Sequence, residues 1–135
     1  MRHSIASFVL SAVLFVVLCA ESNALSDQRV KASVAGPAQA VAGKAFDLLV
    51  SVEIEQGYHI QANNAKAPYI PTSINITAPA GFKVGSPTFP ESREQEFFGE
   101  KLRVFEGKIS VKVPVTAPAA ARGKQEISVK VGYQA

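Results

Sequence analysis

At 135 residues the chain has room for one domain, and eight Phe and three Tyr within a 47% hydrophobic composition can fill one core. Its net charge of +3 comes from lysines and arginines that never form a run, which argues against a nucleic-acid footprint. Eight Pro and nine Gly fall mostly between apolar runs and favour many short strands over long helices.

The chain opens with Arg2 and His3, followed by an apolar run from Ile5 to Ala20 that Glu21 breaks. That run is about sixteen residues, short of the roughly 20 needed to span a bilayer. Ser22-Asn23-Ala24 then offers small residues where an export peptidase reads, so residues 1–24 are expected to be a signal peptide cleaved after Ala24. Cys19 is preceded by Leu18 rather than a small residue, which argues against lipidation, so it leaves with the signal as a small hydrophobe. Residues 25–135 form the expected exported domain. It contains no cysteine, and its net charge stays +3 because Arg2 and Glu21 leave together.

Val30 to Val34 reads as a first edge strand, bounded by the turn signals Gly36-Pro37 and Ala42-Gly43-Lys44. Phe46, Leu48, Val50, Val52 and Ile54 then alternate with polar and small residues, and period two puts them on one face of a strand. Tyr58-His59-Ile60 begins another extended piece, and Pro68 and Pro71 mark a loop. Ile74 and Ile76 share a face, as do Phe82 and Val84 after the Pro79-Ala80-Gly81 turn. Glu91 to Gly99 reads as a charged loop with an aromatic end, and Leu102 to Phe105 follows it. Ile109, Val111, Val113 and Val115 make a second strong inward face, with Pro114 suggesting an edge or a terminus. Ile127, Val129, Val131 and Tyr133 make the last, and this strand runs off the end at Gln134-Ala135 without turn or cap.

Seven or eight short strands separated by turns predict an all-β fold, an immunoglobulin-like antiparallel β-sandwich truncated at its C-terminus and preceded by the signal peptide. The chain has no Trp, so the likeness to antibody domains is architectural.

Little in the residues points to catalysis or metal binding. His59 is the one histidine left after processing and has no Cys beside it, and Glu91, Glu94, Glu96 and Glu100 lack calcium-loop spacing, so neither metal nor cofactor is expected. Nucleophile-elbow, phosphate-loop and dinucleotide signatures are absent. The adjacent Phe97 and Phe98 in a charged segment are the exception. Simple alternation cannot hide both, which leaves them as a plug at the sandwich end or as a lid over a reactive group.

Several segments, in order, resemble the N-terminal periplasmic domain of the thiol:disulfide interchange protein DsbD. They are Gly57-Tyr58-His59-Ile60, Ile70-Pro71-Thr72, Pro79-Ala80-Gly81-Phe82, Glu96-Phe97-Phe98-Gly99, Val104-Phe105-Glu106-Gly107, Val113-Pro114-Val115 and Val131-Gly132-Tyr133-Gln134-Ala135. The resemblance implies an Ig-like domain of the bacterial periplasm that receives electrons from membrane-embedded and thioredoxin-like domains, which can belong to the same parent protein. It hands them to periplasmic thioredoxin-like oxidoreductases that reduce disulfides or support cytochrome c maturation. It further implies a cap loop at Gln95, Glu96, Phe97, Phe98 and Gly99. In that loop Phe97 shields a cysteine pair, Phe98 supports the loop, Gly99 allows the bend and Glu96 modulates thiol acidity. Tyr58 and Tyr133 are expected to line the same end of the sandwich.

In that family the first working cysteine follows a Tyr-Gln-small motif, here Tyr133-Gln134-Ala135, so the catalytic cysteines are expected after Ala135. The label of protein-disulfide reductase belongs to a form that carries them. The alternative expectation is a non-catalytic Ig-like periplasmic module that binds another protein through its loop end.

Overall fold

The computed structural model describes residues 13–22, as backbone, and residues 29–135. Every regular element in these segments is a strand. One sheet has the order β2 (Val30–Ala35), β4 (Ala45–Ile54), β10 (Lys108–Thr116) and β7 (Lys83–Val84). A second has the order β3 (Gln39–Val41), β1 (Val13–Ser22), β11 (Gly123–Gly132) and β6 (Ser73–Thr77). A smaller third sheet joins β5 (Ile60–Gln61), β9 (Glu100–Phe105) and β8 (Arg93–Phe97). All pairings are antiparallel except that of β1 with β11.

The alternating sequence explains the two main sheets. Leu48, Val50 and Val52 on β4 are fully buried, as are Val111, Val113 and Val115 on β10. The register sets Val111 opposite Val50 and Val113 opposite Leu48, so both sets point into one layer. Ile127, Val129 and Val131 of β11 join them in one core with Phe105, Ile60 and Tyr133. Each such large side chain contributes about 1.5–3 kcal/mol on burial. The result is the immunoglobulin-like β-sandwich that the strand pattern predicts. A small alanine cluster of Ala40, Ala117 and Ala121 closes the end where β11 begins.

Three features depart from the reading of the sequence. The described residues hold eleven strands, more than the seven or eight expected: β1 falls in the segment read as an export signal, the three residues of β3 are too few to show a period, and β8 was read as a loop. The segment read as a charged loop is β8, an outer strand. Its pattern of exposed and half-buried residues lacks a buried face, and its pairing with β9 defines it.

Pro114 lies inside β10 rather than at its terminus, and β10 has neighbours on both sides. It is tolerated because only its carbonyl is used on the β7 side, where it accepts the Gly85 N–H at 2.8 Å. This contact also fixes residue 85 as glycine, since a Cβ there would stand 2.6 Å from Pro114 Cγ.

β1 falls within the segment expected to be the export signal. Its backbone lies between β3 and β11, in parallel register with β11 from Leu14 opposite Gly123 to Ser22 opposite Val131. The expected cleavage position at Ala24 lies outside the described residues.

Candidate functional site

The third sheet builds the site. β8 and β9 form a hairpin whose last pair is Phe97 with Glu100, leaving Phe98 and Gly99 as a two-residue turn. Both have positive φ, 52° and 83°, as a type I′ turn requires. Glycine adopts this conformation freely, whereas a phenylalanine there sits in a sparsely populated region. The Phe98 ring is also fully exposed, at 108% relative accessibility. Backbone strain and a bare aromatic ring at one position mark the tip as a place shaped by something other than stability.

Phe97 turns inward. Its ring stacks on that of His59, with centroids 4.4 Å apart and 26° between the planes. His59 directly precedes β5, whose two residues pair with Phe105 and Val104 of β9. The stack therefore ties the tip of the hairpin to the strand beside its base.

The end of β11 arrives at the same place. The Gln134 carbonyl accepts the Gln61 N–H at 3.0 Å, and its side-chain Oε1 accepts the Ile70 N–H at 2.6 Å. The buried Thr72 hydroxyl donates to the Gln61 carbonyl, and the Thr72 N–H donates to the Ala62 carbonyl at 3.3 Å. The Tyr69 hydroxyl donates to Glu100 Oε1, just past the tip. That hydrogen bond, with partial burial and the nearby carboxylate charge, raises the Tyr69 phenol above its ordinary 10.0.

Four segments thus line an open cavity of about 310 Å³ whose walls include His59, Tyr69, Phe97, Phe98, Gln134 and Ala135. A second cavity, of about 410 Å³, continues from it and shares Gln61, Tyr69, Glu100 and Leu102. The chemical groups on the first cavity are an imidazole, a phenol, a carboxylate and two amides, around the backbone end of β11. Among the described residues no group of three or more His, Cys, Asp or Glu is placed to hold a metal ion.

The structure gathers some of the residues singled out from the sequence and separates others. Phe97, Phe98 and Gln134 meet at the cavity. Phe98, expected to support the loop, is its bare tip. Gln95 lies within β8, and its amide donates to Glu106 Oε2 at 2.6 Å near the hairpin base, where Arg93 Nη1 also stands 3.9 Å from Glu106 Oε1. Glu96 is exposed on β8 opposite Lys101.

Tyr133 is 8% exposed and belongs to the core, below the cavity rather than on its wall. Tyr58 is elsewhere. Its ring lies under the Arg29 guanidinium at 4.7 Å, and it lines a separate cavity with Arg93 and Glu106. Gly57, with φ of 91°, turns the chain between Ile54 and His59, and the adjacent Tyr58 and His59 serve different surfaces. Sequence reasoning missed His59, Tyr69 and Glu100 as members of the site. The sequence signals near them were the Gly57-Tyr58-His59-Ile60 segment, which contains His59, and the Ile70-Pro71-Thr72 and Glu96-Phe97-Phe98-Gly99 segments, which adjoin Tyr69 and Glu100.

The site is thus an aromatic hairpin tip at one end of a β-sandwich, beside the end of its last described strand. The chain belongs to the family described as thiol:disulfide interchange protein DsbD, N-terminal, whose model matches residues 26–135. No curated protein and no solved structure was found to match the chain.

Proposed function

We propose that this domain passes electrons by thiol–disulfide exchange to thioredoxin-like oxidoreductases of the bacterial periplasm, with the Phe97–Phe98 tip as a cover that a docking partner displaces. Family membership supports interchange as the chemistry. The observation that carries the rest is the cavity with Phe97 and Phe98 on one wall and Gln134 and Ala135 on another. On this reading the first reacting cysteine follows the Tyr133-Gln134-Ala135 motif, and the shared lining of Ala135 and Phe97 supports a position near the tip.

The chemistry needs two thiols. A thiolate of the domain attacks one sulfur of the partner's disulfide, a mixed disulfide forms, and the partner's other sulfur leaves as a thiolate. The domain's second thiolate then breaks the mixed disulfide. The domain ends as a disulfide, and the partner ends reduced by two electrons. The aromatic cover slows attack by small oxidants, because a sulfur screened from solvent reacts more slowly. Glu96 adds a negative charge near the hairpin, which disfavours the thiolate until docking.

The test is to translate the gene beyond codon 135 and to produce the form that carries the following cysteines. Phe97→Ala is expected to leave that form folded, speed its oxidation by peroxide severalfold and lower its rate of partner reduction. Unchanged resistance and unchanged transfer would overturn the cover. A stop codon at that point would favour the non-catalytic binding module, for which the bare Phe98 ring is the supporting observation.

A further inference from the structure

The larger cavity lies beside the covered one, between β9 and the segment from Asn64 to Tyr69. It has a marked charge balance. Lys66, Lys101 and Arg103 line it, and Glu100 is its one carboxylate. Glu100 already accepts the Tyr69 hydroxyl. No ion pair joins Lys66 or Lys101 to a carboxylate among the described residues. Glu94 and Glu96 stand opposite Arg103 and Lys101 across the hairpin, but neither lines the cavity.

The walls are held in place. Arg103 is fixed by Nε to Ser92 Oγ at 2.9 Å and by Nη2 to the Ser92 carbonyl at 2.7 Å. The facing segment carries its own turns, with the Ala65 N–H on the Ala62 carbonyl at 3.1 Å and the Tyr69 N–H on the Lys66 carbonyl at 3.0 Å. The site is therefore a concave, pre-shaped notch with two unpaired ammonium groups and a fixed guanidinium, next to the hairpin tip.

We infer that this notch receives an acidic segment of the partner protein, with carboxylates seated against Lys66, Lys101 and Arg103. The inference rests on the proposed function for its partner and adds what that partner must carry. Charge complementarity selects an anion. Concavity selects side chains projecting from a polypeptide over a flat lipid surface. The shared walls with the covered cavity mean that a partner docking at the tip reaches the notch in the same encounter. Such a contact raises the association rate and orients the partner more than it adds raw affinity.

The experiment is an NMR titration of the isotope-labelled protein with a hexaglutamate peptide, at low and at high salt. Saturable shifts are expected at the amides of Asn64 to Tyr69 and Glu100 to Arg103, weakened by salt. The double variant Lys66→Glu, Lys101→Glu is expected to bind roughly tenfold more weakly. Lys66→Gln with Lys101→Gln serves as the milder second variant, and a hexalysine peptide is expected to give no shifts at these amides.

Absence of shifts, or shifts spread equally over Lys31, Lys44, Lys108 and Lys130, would overturn the inference. Binding of phosphatidylglycerol vesicles without peptide binding would also overturn it and assign the notch to a lipid surface. The charge variants leave Phe97 and Phe98 in place, so oxidation resistance in the cysteine-bearing form is read separately. Absence of peptide binding to the unsubstituted protein, with Phe97→Ala still speeding oxidation, defeats this inference alone, whereas peptide binding with no effect of Phe97→Ala defeats the redox cover alone.

Discussion

The ring of Phe97 lies 4.4 Å, centroid to centroid, from the ring of His59, and this contact anchors the hairpin tip to the start of β5. The partners are far apart in sequence and are brought together by the pairing of β5 and β8 on either side of β9. A stacked aromatic pair contributes about 0.5–1.5 kcal/mol beyond its burial. His59→Ala is therefore expected to lower the urea midpoint modestly and to speed amide exchange around Phe97 to Gly99. A double-mutant cycle with Phe97→Ala checks it, and additive losses would mean that the two rings do not support each other.

Phe98 is expected to be a residue that the fold would be better without. Its positive φ costs an L-residue roughly 1–2 kcal/mol, and the exposed ring recovers nothing by burial. Phe98→Asn or Phe98→Gly suits the type I′ turn and is expected to raise stability by about 1 kcal/mol in denaturant unfolding. The same substitution is expected to slow transfer to a partner in the cysteine-bearing form. A stabilised variant with undiminished transfer would show that the ring is not used in docking.

The Tyr69–Glu100 link makes a signed statement about pH. The hydrogen bond to Glu100 favours the neutral phenol, so the native group titrates above 10.0. A value raised on folding contributes stability that is fully present below the unfolded value of 10.0 and is lost as pH rises through the native one. Ultraviolet titration of phenolate is expected to show Tyr69 ionising late, and Glu100→Gln is expected to move it back towards the ordinary value. An unchanged titration curve in Glu100→Gln would remove the link.

Gly85→Ala tests the packing at the β7 edge. The new methyl would stand 2.6 Å from Pro114 Cγ, and the proline ring cannot swing away as a flexible side chain would. A loss of about 1–3 kcal/mol is expected by urea unfolding. The double variant Gly85→Ala, Pro114→Val is expected to recover part of it, since the rigid ring is the obstacle.

The legible part of this protein was its main sheets. The inward faces read from Phe46 to Ile54, from Ile109 to Val115 and from Ile127 to Tyr133 are the faces that β4, β10 and β11 bury, apart from the half-buried Phe46. The aromatic pair at Phe97 and Phe98 was also visible, because two adjacent rings in a charged stretch break the alternation. The strand character of β8 was not visible, since its residues show no buried face and its order comes from β9. Tyr58 shows the opposite failure. It sits beside His59 in a segment that looks like one unit, yet it lines another cavity, under the Arg29 guanidinium.

Strand identity and the side that each strand buries were written in the local alternation of side chains, because a pleated backbone exposes successive residues to opposite faces whatever it pairs with. The site was not written there. Tyr69 meets Glu100 across 31 residues, and Ile70 meets Gln134 across 64. Which residues share a cavity depends on which strands pair and in what register, and only the folded sheets bring groups so distant along the chain within hydrogen-bonding reach.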